Sequence, residues 1–180
     1  MRLIVMKNTI TLFTFLLSIF AFSQELQFEE VVKLDSTIAK EELYNRARSW
    51  LAKTYKSEKD VMSIEDKSSG ELTGNGAVRY NPNSLFFGVD CAKGYVYYKI
   101  NFYFKDGRYK YNIHSFRHEG TRCNGGSIIS YGILTEAEKP ERGAKRGWIE
   151  VKELAKKDAA NTINSLKEAM NKEYEASKDW

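Results

Sequence analysis

The chain is 180 residues long, 42% hydrophobic and 29% charged, with a formal net charge of +4. That is enough apolar material for one sizeable core, and too little uncompensated charge for a surface dedicated to a polyanion. No CxxC pair, HExxH, Gly-rich phosphate loop or nucleophile elbow occurs, so the common catalytic signatures are missing.

Residues 1–23 read as a signal peptide. Arg2 and Lys7 form a short positive start, Ile10–Phe22 is an apolar run diluted only by Thr11, Thr14 and Ser18, and Ala21 and Ser23 are small residues placed for cleavage before Gln24. The run is shorter than the roughly 20 residues a bilayer span needs, and no cysteine follows it to carry a lipid anchor. An exported protein, periplasmic or secreted, is expected, with residues 24–180 as its single domain. Without Arg2 and Lys7 the net charge of +4 falls to about +2.

Glu25–Leu34 alternates, with Leu26, Phe28, Val32 and Leu34 on one face of a strand. Asp35, Ser36 and Thr37 offer capping oxygens to a helix over "AKEELYNRARSWLAKTY", whose apolar stripe is Leu43, Ala47, Trp50, Leu51 and Thr54. Val61–Asp66 and Glu71–Tyr80 flank "KSSG" and read as a hairpin closed at Gly70, with Gly74 and Gly76 marking a bend, a bulge or a close backbone neighbour.

Next comes "YVYYKINFYFKDGRYKY", 95–111, with Asp106-Gly107 as its two-residue turn. That turn fixes a register in which paired positions sum to 213. Phe104 faces Tyr109, Phe102 faces Tyr111, Ile100 faces Ile113 and Tyr98 faces Ser115, all on a buried side. The open side pairs Tyr103 with Lys110, Asn101 with Asn112, Lys99 with His114 and Tyr97 with Phe116. "IISYGIL" reads as a short strand or a docked loop. After the basic, Gly-containing segment 139–147, a final helix carries Val151, Ala155, Ala159, Thr162, Ile163, Leu166, Ala169 and Met170 on one stripe. The order β-α-β-β-β-β-α predicts an α+β fold, a five-stranded antiparallel sheet with two helices on one face.

The segments "KEELYNRARSWLAKTY", "IEDKSSGELTGNG", "YYKINFYFKDGRYKYNIHSF" and "TINSLKEAM", in that order, resemble a family of exported Bacteroidota domains of unknown function with a TATA-box-binding-protein-like (TBP-like) fold. The resemblance implies a curved sheet with both helices on one side. It brings no catalytic or ligand-binding residue.

Among candidate sites, His114 and His118 have a spacing that suits metal ligation on a helix. On a strand they stand about 13 Å apart, so no metal is expected and both read as surface or edge residues. Cys91 and Cys123 are one position out of register on the extended ladder, and a single bulge, for which Gly94 is the natural seat, would bring them level as a disulfide. Glu30 falls on the apolar parity of its strand, either pointing into a pocket or sitting at a strand end or bulge.

The open hairpin face, with Tyr95, Tyr97, Lys99, Asn101, Tyr103, Lys110, Asn112, His114 and Phe116, is the candidate binding surface. Export and weak net charge oppose nucleic acid as its partner. The expected function is a non-enzymatic domain that uses this face, or loop 117–147, to bind a protein or an envelope component, without a cofactor. The alternatives are a small apolar-ligand carrier with a cavity between sheet and helix, and, third, an uncharacterised hydrolase.

Overall fold

The computed structural model describes residues 24–55 and 62–173; the expected signal peptide at 1–23, and Val61 at the start of the first hairpin, lie outside them. Five strands, β1 (Phe28–Lys33), β2 (Met62–Asp66), β3 (Glu71–Tyr80), β4 (Gly94–Lys105) and β5 (Arg108–Gly120), form one antiparallel sheet in the order β1-β5-β4-β3-β2. Two helices, α1 (Lys40–Thr54) and α2 (Lys145–Met170), cover one of its faces. The expected α+β architecture is therefore the observed one. "IISYGIL" contributes the two-residue β6 (Gly132–Ile133), which pairs with β5 beyond the end of β1. A 3₁₀ turn, Val89–Ala92, leads into β4.

The core is built from alternate strand residues and the helix stripes. Val96, Tyr98, Ile100, Phe102 and Phe104 of β4 are buried, as are Tyr109, Tyr111 and Ile113 of β5. Trp50 of α1 meets Phe102 edge-on with ring centroids 6.1 Å apart, and Tyr44 meets Phe104 at 5.7 Å. Edge-to-face contacts of this kind add to the area term because the ring edge is positive and the face negative. From α2, Val151, Ala155, Ala159, Thr162, Leu166 and Met170 are buried, as their spacing predicts. Thr54 is exposed, because α1 ends there and Tyr55 already has extended backbone.

Gly76 answers to a close neighbour. A Cβ there would overlap the ring of its cross-strand partner Tyr98. The Tyr98 hydroxyl lies 3.1 Å from that of Tyr55 and 3.5 Å from Thr162 Oγ1, joining the sheet to both helices. The irregularity expected near Gly74 is a register shift in β2 between Met62 and Ile64.

The cap of α1 comes from elsewhere than expected. Asp35 accepts hydrogen bonds from the Thr37 backbone N–H and hydroxyl, closing its own turn. The first helical N–H, that of Lys40, donates instead to Asp106 Oδ1 at 2.7 Å, from the β4–β5 turn 66 residues away. Leu34 N–H to Gly107 O and Gly107 N–H to Ile38 O complete the seam. One aspartate thus shapes a hairpin and satisfies a helix end. Asp106→Ala is expected to cost about 1 kcal/mol in urea unfolding. Asp106→Asn keeps both the turn preference and an accepting oxygen, and should cost much less; equal costs would remove the capping role.

Candidate functional site: the open face of the sheet

The register follows the sum of 213 from Lys105–Arg108 to Lys99–His114, then changes. From Tyr97–Arg117 to Gly94–Gly120 the pairs sum to 214. The extra residue is in β5, where Ser115 takes φ 56°, the left-handed region that non-glycine residues rarely occupy. The bulge therefore sits at Ser115 and not at Gly94.

It has two effects on the expected site. Beyond it every β5 side chain changes face, so Phe116 and His118 turn inward, 1% and 0% exposed. Phe116 is thus a core residue, its ring 5.2 Å from that of Tyr98, and Arg117 takes its place opposite Tyr97 on the open face. The same shift brings Cys91 level with Cys123. The two form a disulfide, with Cα atoms 4.7 Å apart.

His118 is not the surface histidine expected. Its Nδ1 accepts the Tyr131 backbone N–H at 3.2 Å, so Nε2 carries the proton and donates to Ala92 O at 3.0 Å. Burial holds its pKa down to about 4. His114 stays on the open face, half-buried, its Nδ1 2.8 Å from Ser115 Oγ; desolvation and then Lys99 lower its pKa. The two histidines lie on opposite faces of β5, and no group of His, Cys, Asp and Glu among the described residues could hold a metal ion.

The open face forms a grid across β3, β4 and β5. Its rows are Arg79–Tyr95–Glu119, Ala77–Tyr97–Arg117, Asn75–Lys99–His114, Thr73–Asn101–Asn112 and Glu71–Tyr103–Lys110. Tyr95, Tyr97 and Tyr103 are 40–42% exposed, which is high for side chains within a sheet. The rings of Tyr95 and Tyr97 lie 6.0 Å apart, tilted by 34°. Lys110 pairs with Glu29 of β1 at 2.8 Å and Arg117 with Glu119 at 2.7 Å. Lys99 stands exposed at the centre and has no carboxylate partner among the described residues.

In the fourth of these rows the side-chain oxygens of Asn101 and Asn112 are covered and lack a hydrogen-bond partner. Being covered, they are not where a ligand first touches. Thr73 beside them is only 5% exposed, so this row forms a tight polar floor between the Tyr95–Tyr97 pair and Tyr103. Arg79, Arg117, Asn75 and Thr73 belong to the face and were not foreseen. The β3 residues could be placed only through the β3–β4 register, which no tight turn fixes, and Arg117 only through the bulge.

Glu30 sits on the helix side of the β1 edge and accepts a hydrogen bond from the Tyr111 hydroxyl at 2.7 Å. Lys167 of α2 pairs with it at 2.7 Å, and these two bonds lower its pKa. It ties the edge strand to the last turn of α2 rather than lining a pocket.

The comparisons agree with this architecture. The family model described as "Domain of unknown function (DUF4468) with TBP-like fold" matches residues 28–119, from the start of β1 to within one residue of the end of β5. A TBP-like protein from Parabacteroides distasonis has a similar structure, with a TM-score of 0.53 at 15% identity, covering 79% of this chain and 93% of that one. A DUF4468 family protein from Bacteroides ovatus is similar too, with a TM-score of 0.53 at 16% identity, covering 79% and 86%. At such identities the likeness concerns the fold alone. No protein with curated annotation matches the chain. With more than half of the chain inside the family model, and the sheet and helices of that fold in place, this protein belongs to the DUF4468 family of TBP-like domains of unknown function.

Proposed function

We propose that the protein is an exported, non-enzymatic binding domain whose open sheet face engages a protein or an envelope component. The observation that carries this reading is the exposed Tyr95–Tyr97–Lys99–Tyr103 ridge on a face that neither described helix covers. Tyrosines supply large, stiff contact area at small entropic cost, and a free ammonium between them adds directional polarity. The disulfide suits an oxidising compartment. No described helix is long and apolar enough to cross a membrane.

The carrier reading needs an enclosed apolar cavity. The space between sheet and helices is filled by Trp50, Tyr98, Phe102, Phe104 and their neighbours. The cleft of about 580 Å³ beside Trp50 is open and lined by the two helices without the sheet. A hydrolase using a cysteine thiol is disfavoured, since both cysteines are bonded.

Replacing Tyr97, Lys99 and Tyr103 together by alanine is expected to abolish co-purification of the native partner from the envelope or culture fluid, identified by mass spectrometry. The melting temperature should stay within a few degrees, because all three side chains are exposed. Unchanged capture by the triple variant would move the site off this face.

A further inference from the structure

The most exposed large apolar side chains lie away from the sheet face. Phe87 is 97% exposed and Leu85 87%, with Ile128 beside them at 51%. Single exposed apolar residues are ordinary, but two large ones at i and i+2 on a rigidly held loop are not.

The rigidity has identifiable sources. Phe86, between them, turns inward against Gly147. Upstream, Glu150 of α2 accepts the Asn83 backbone N–H at 3.0 Å. Downstream, Val89 N–H donates to Phe86 O, Cys91 N–H donates to Gly88 O, and the disulfide fixes Cys91 to the 121–130 loop. The loop is thus braced on both sides with its apolar side chains facing water.

The rim is basic. Phe87, Ile128 and Ile129 line a cleft of about 590 Å³ with Arg142, Gly143 and Ala144. Lys145 and Arg146 follow directly, before Gly147 closes against Phe86. Arg142, Lys145 and Arg146 are exposed and have no carboxylate partner among the described residues. The acids nearest the cleft are Glu141, beside Arg142 and Ile128, Glu150, which accepts from the Tyr80 hydroxyl and the Asn83 N–H, and Asp90, which Lys93 engages at 2.7 Å; Lys145 faces a separate cleft with Glu136, Glu138 and Glu153. Residues 81–89 carry no charge at all.

From this juxtaposition we infer that the Leu85–Phe87 loop is a peripheral docking site for an anionic lipid surface, with Phe87 and Leu85 entering the acyl boundary and Arg142 and Arg146 meeting the headgroups. A side chain at 97% exposure stands clear of its own protein. A protein partner would need a pocket shaped to receive it, whereas a lipid surface accepts any protruding ring and adds attraction for flanking cations. The site uses none of Tyr97, Lys99 and Tyr103 and does not rest on the sheet-face reading.

The test is co-sedimentation of the chain from Gln24 to Trp180, which holds the whole described fold and omits the apolar leader. The vesicles are phosphatidylglycerol/phosphatidylethanolamine on one hand and phosphatidylcholine alone on the other. Partitioning onto the anionic vesicles is expected, falling roughly tenfold in Leu85→Ser and again in Phe87→Ser. The double charge reversal Arg142→Glu, Arg146→Glu should abolish the preference for anionic lipid. In Phe87→Trp, the added indole fluorescence should shift to the blue on anionic vesicles. Absence of sedimentation, partitioning unchanged in the serine variants, or an unshifted indole would each overturn the inference. So would a concentration-dependent dimer dispersed by Phe87→Ser, which would assign the patch to a second copy of the chain.

Discussion

Reduction of the Cys91–Cys123 bond is expected to lower the unfolding free energy by about 3–4 kcal/mol on the loop-entropy account. The bond closes a segment with a sequence separation of 32, which holds all of β4, the hairpin turn and all of β5. In the unfolded chain this cross-link removes many conformations; in the folded chain it also holds local structure. Ile129 N–H donates to Cys91 O at 2.8 Å and Thr121 N–H to Lys93 O at 2.6 Å, both within the strap that the bond anchors. Urea titrations of oxidised and reduced protein, and of the Cys91→Ala, Cys123→Ala double variant, measure the effect. The reduced protein and the double variant should share a midpoint well below that of the oxidised chain. Coincident midpoints for all three would show that the core alone carries the fold.

Acid should remove a comparable amount through His118. In the folded protein the ring is neutral, with its pKa held down to about 4 by burial, against an ordinary value of 6.5 when unfolded. Between those values the unfolded chain binds one more proton than the folded chain. The His118 contribution is therefore complete above pH 6.5 and is lost as the pH falls toward 4, amounting to about 3 kcal/mol at 1.36 kcal/mol per pH unit. The cost has a structural form. Protonating Nδ1 would set an N–H against the Tyr131 N–H it now accepts, between the rings of Tyr80 and Tyr131. His114 is shifted in the same direction, so the comparison needs His114→Gln as background. Asp66, at about 2, acts only at lower pH. Stability measured at pH 7 and pH 4.5 should fall steeply in the parent and weakly in His118→Gln. Equal slopes would place the acid sensitivity elsewhere.

Most of the sheet was legible because its information is local. Asp106-Gly107 dictates a tight turn, and alternation on either side then sorts Phe102, Phe104, Tyr109 and Tyr111 inward without ambiguity. The helix stripes were legible for the same reason. The Ser115 bulge was not, since serine carries no signal for a positive φ and the residues around it alternate acceptably in either register. That one position decided the fate of Phe116, His118 and Arg117, and with them one corner of the binding face. The cysteine pair is instructive: the need for one extra residue could be counted from the sequence, but its seat could not. Asp106 as the cap of α1 and Leu85–Phe87 as a projecting loop lay beyond reading, because neither a long-range hydrogen bond nor exposure in an irregular segment leaves a periodic trace.

The strand order has a consequence for how the chain is made. β1 pairs Phe28 with Ile113 and Lys33 with Arg108, so the first strand to be synthesised pairs with the last of the five in sequence. α1 waits likewise for Asp106 before its first N–H is satisfied. An emerging N-terminal half cannot complete either element, and the sheet closes only once β5 is present. Such non-local closure is entropically slow. Under the export proposed above the delay is useful: the topology would keep the polypeptide translocation-competent until nearly all of the sheet has been delivered.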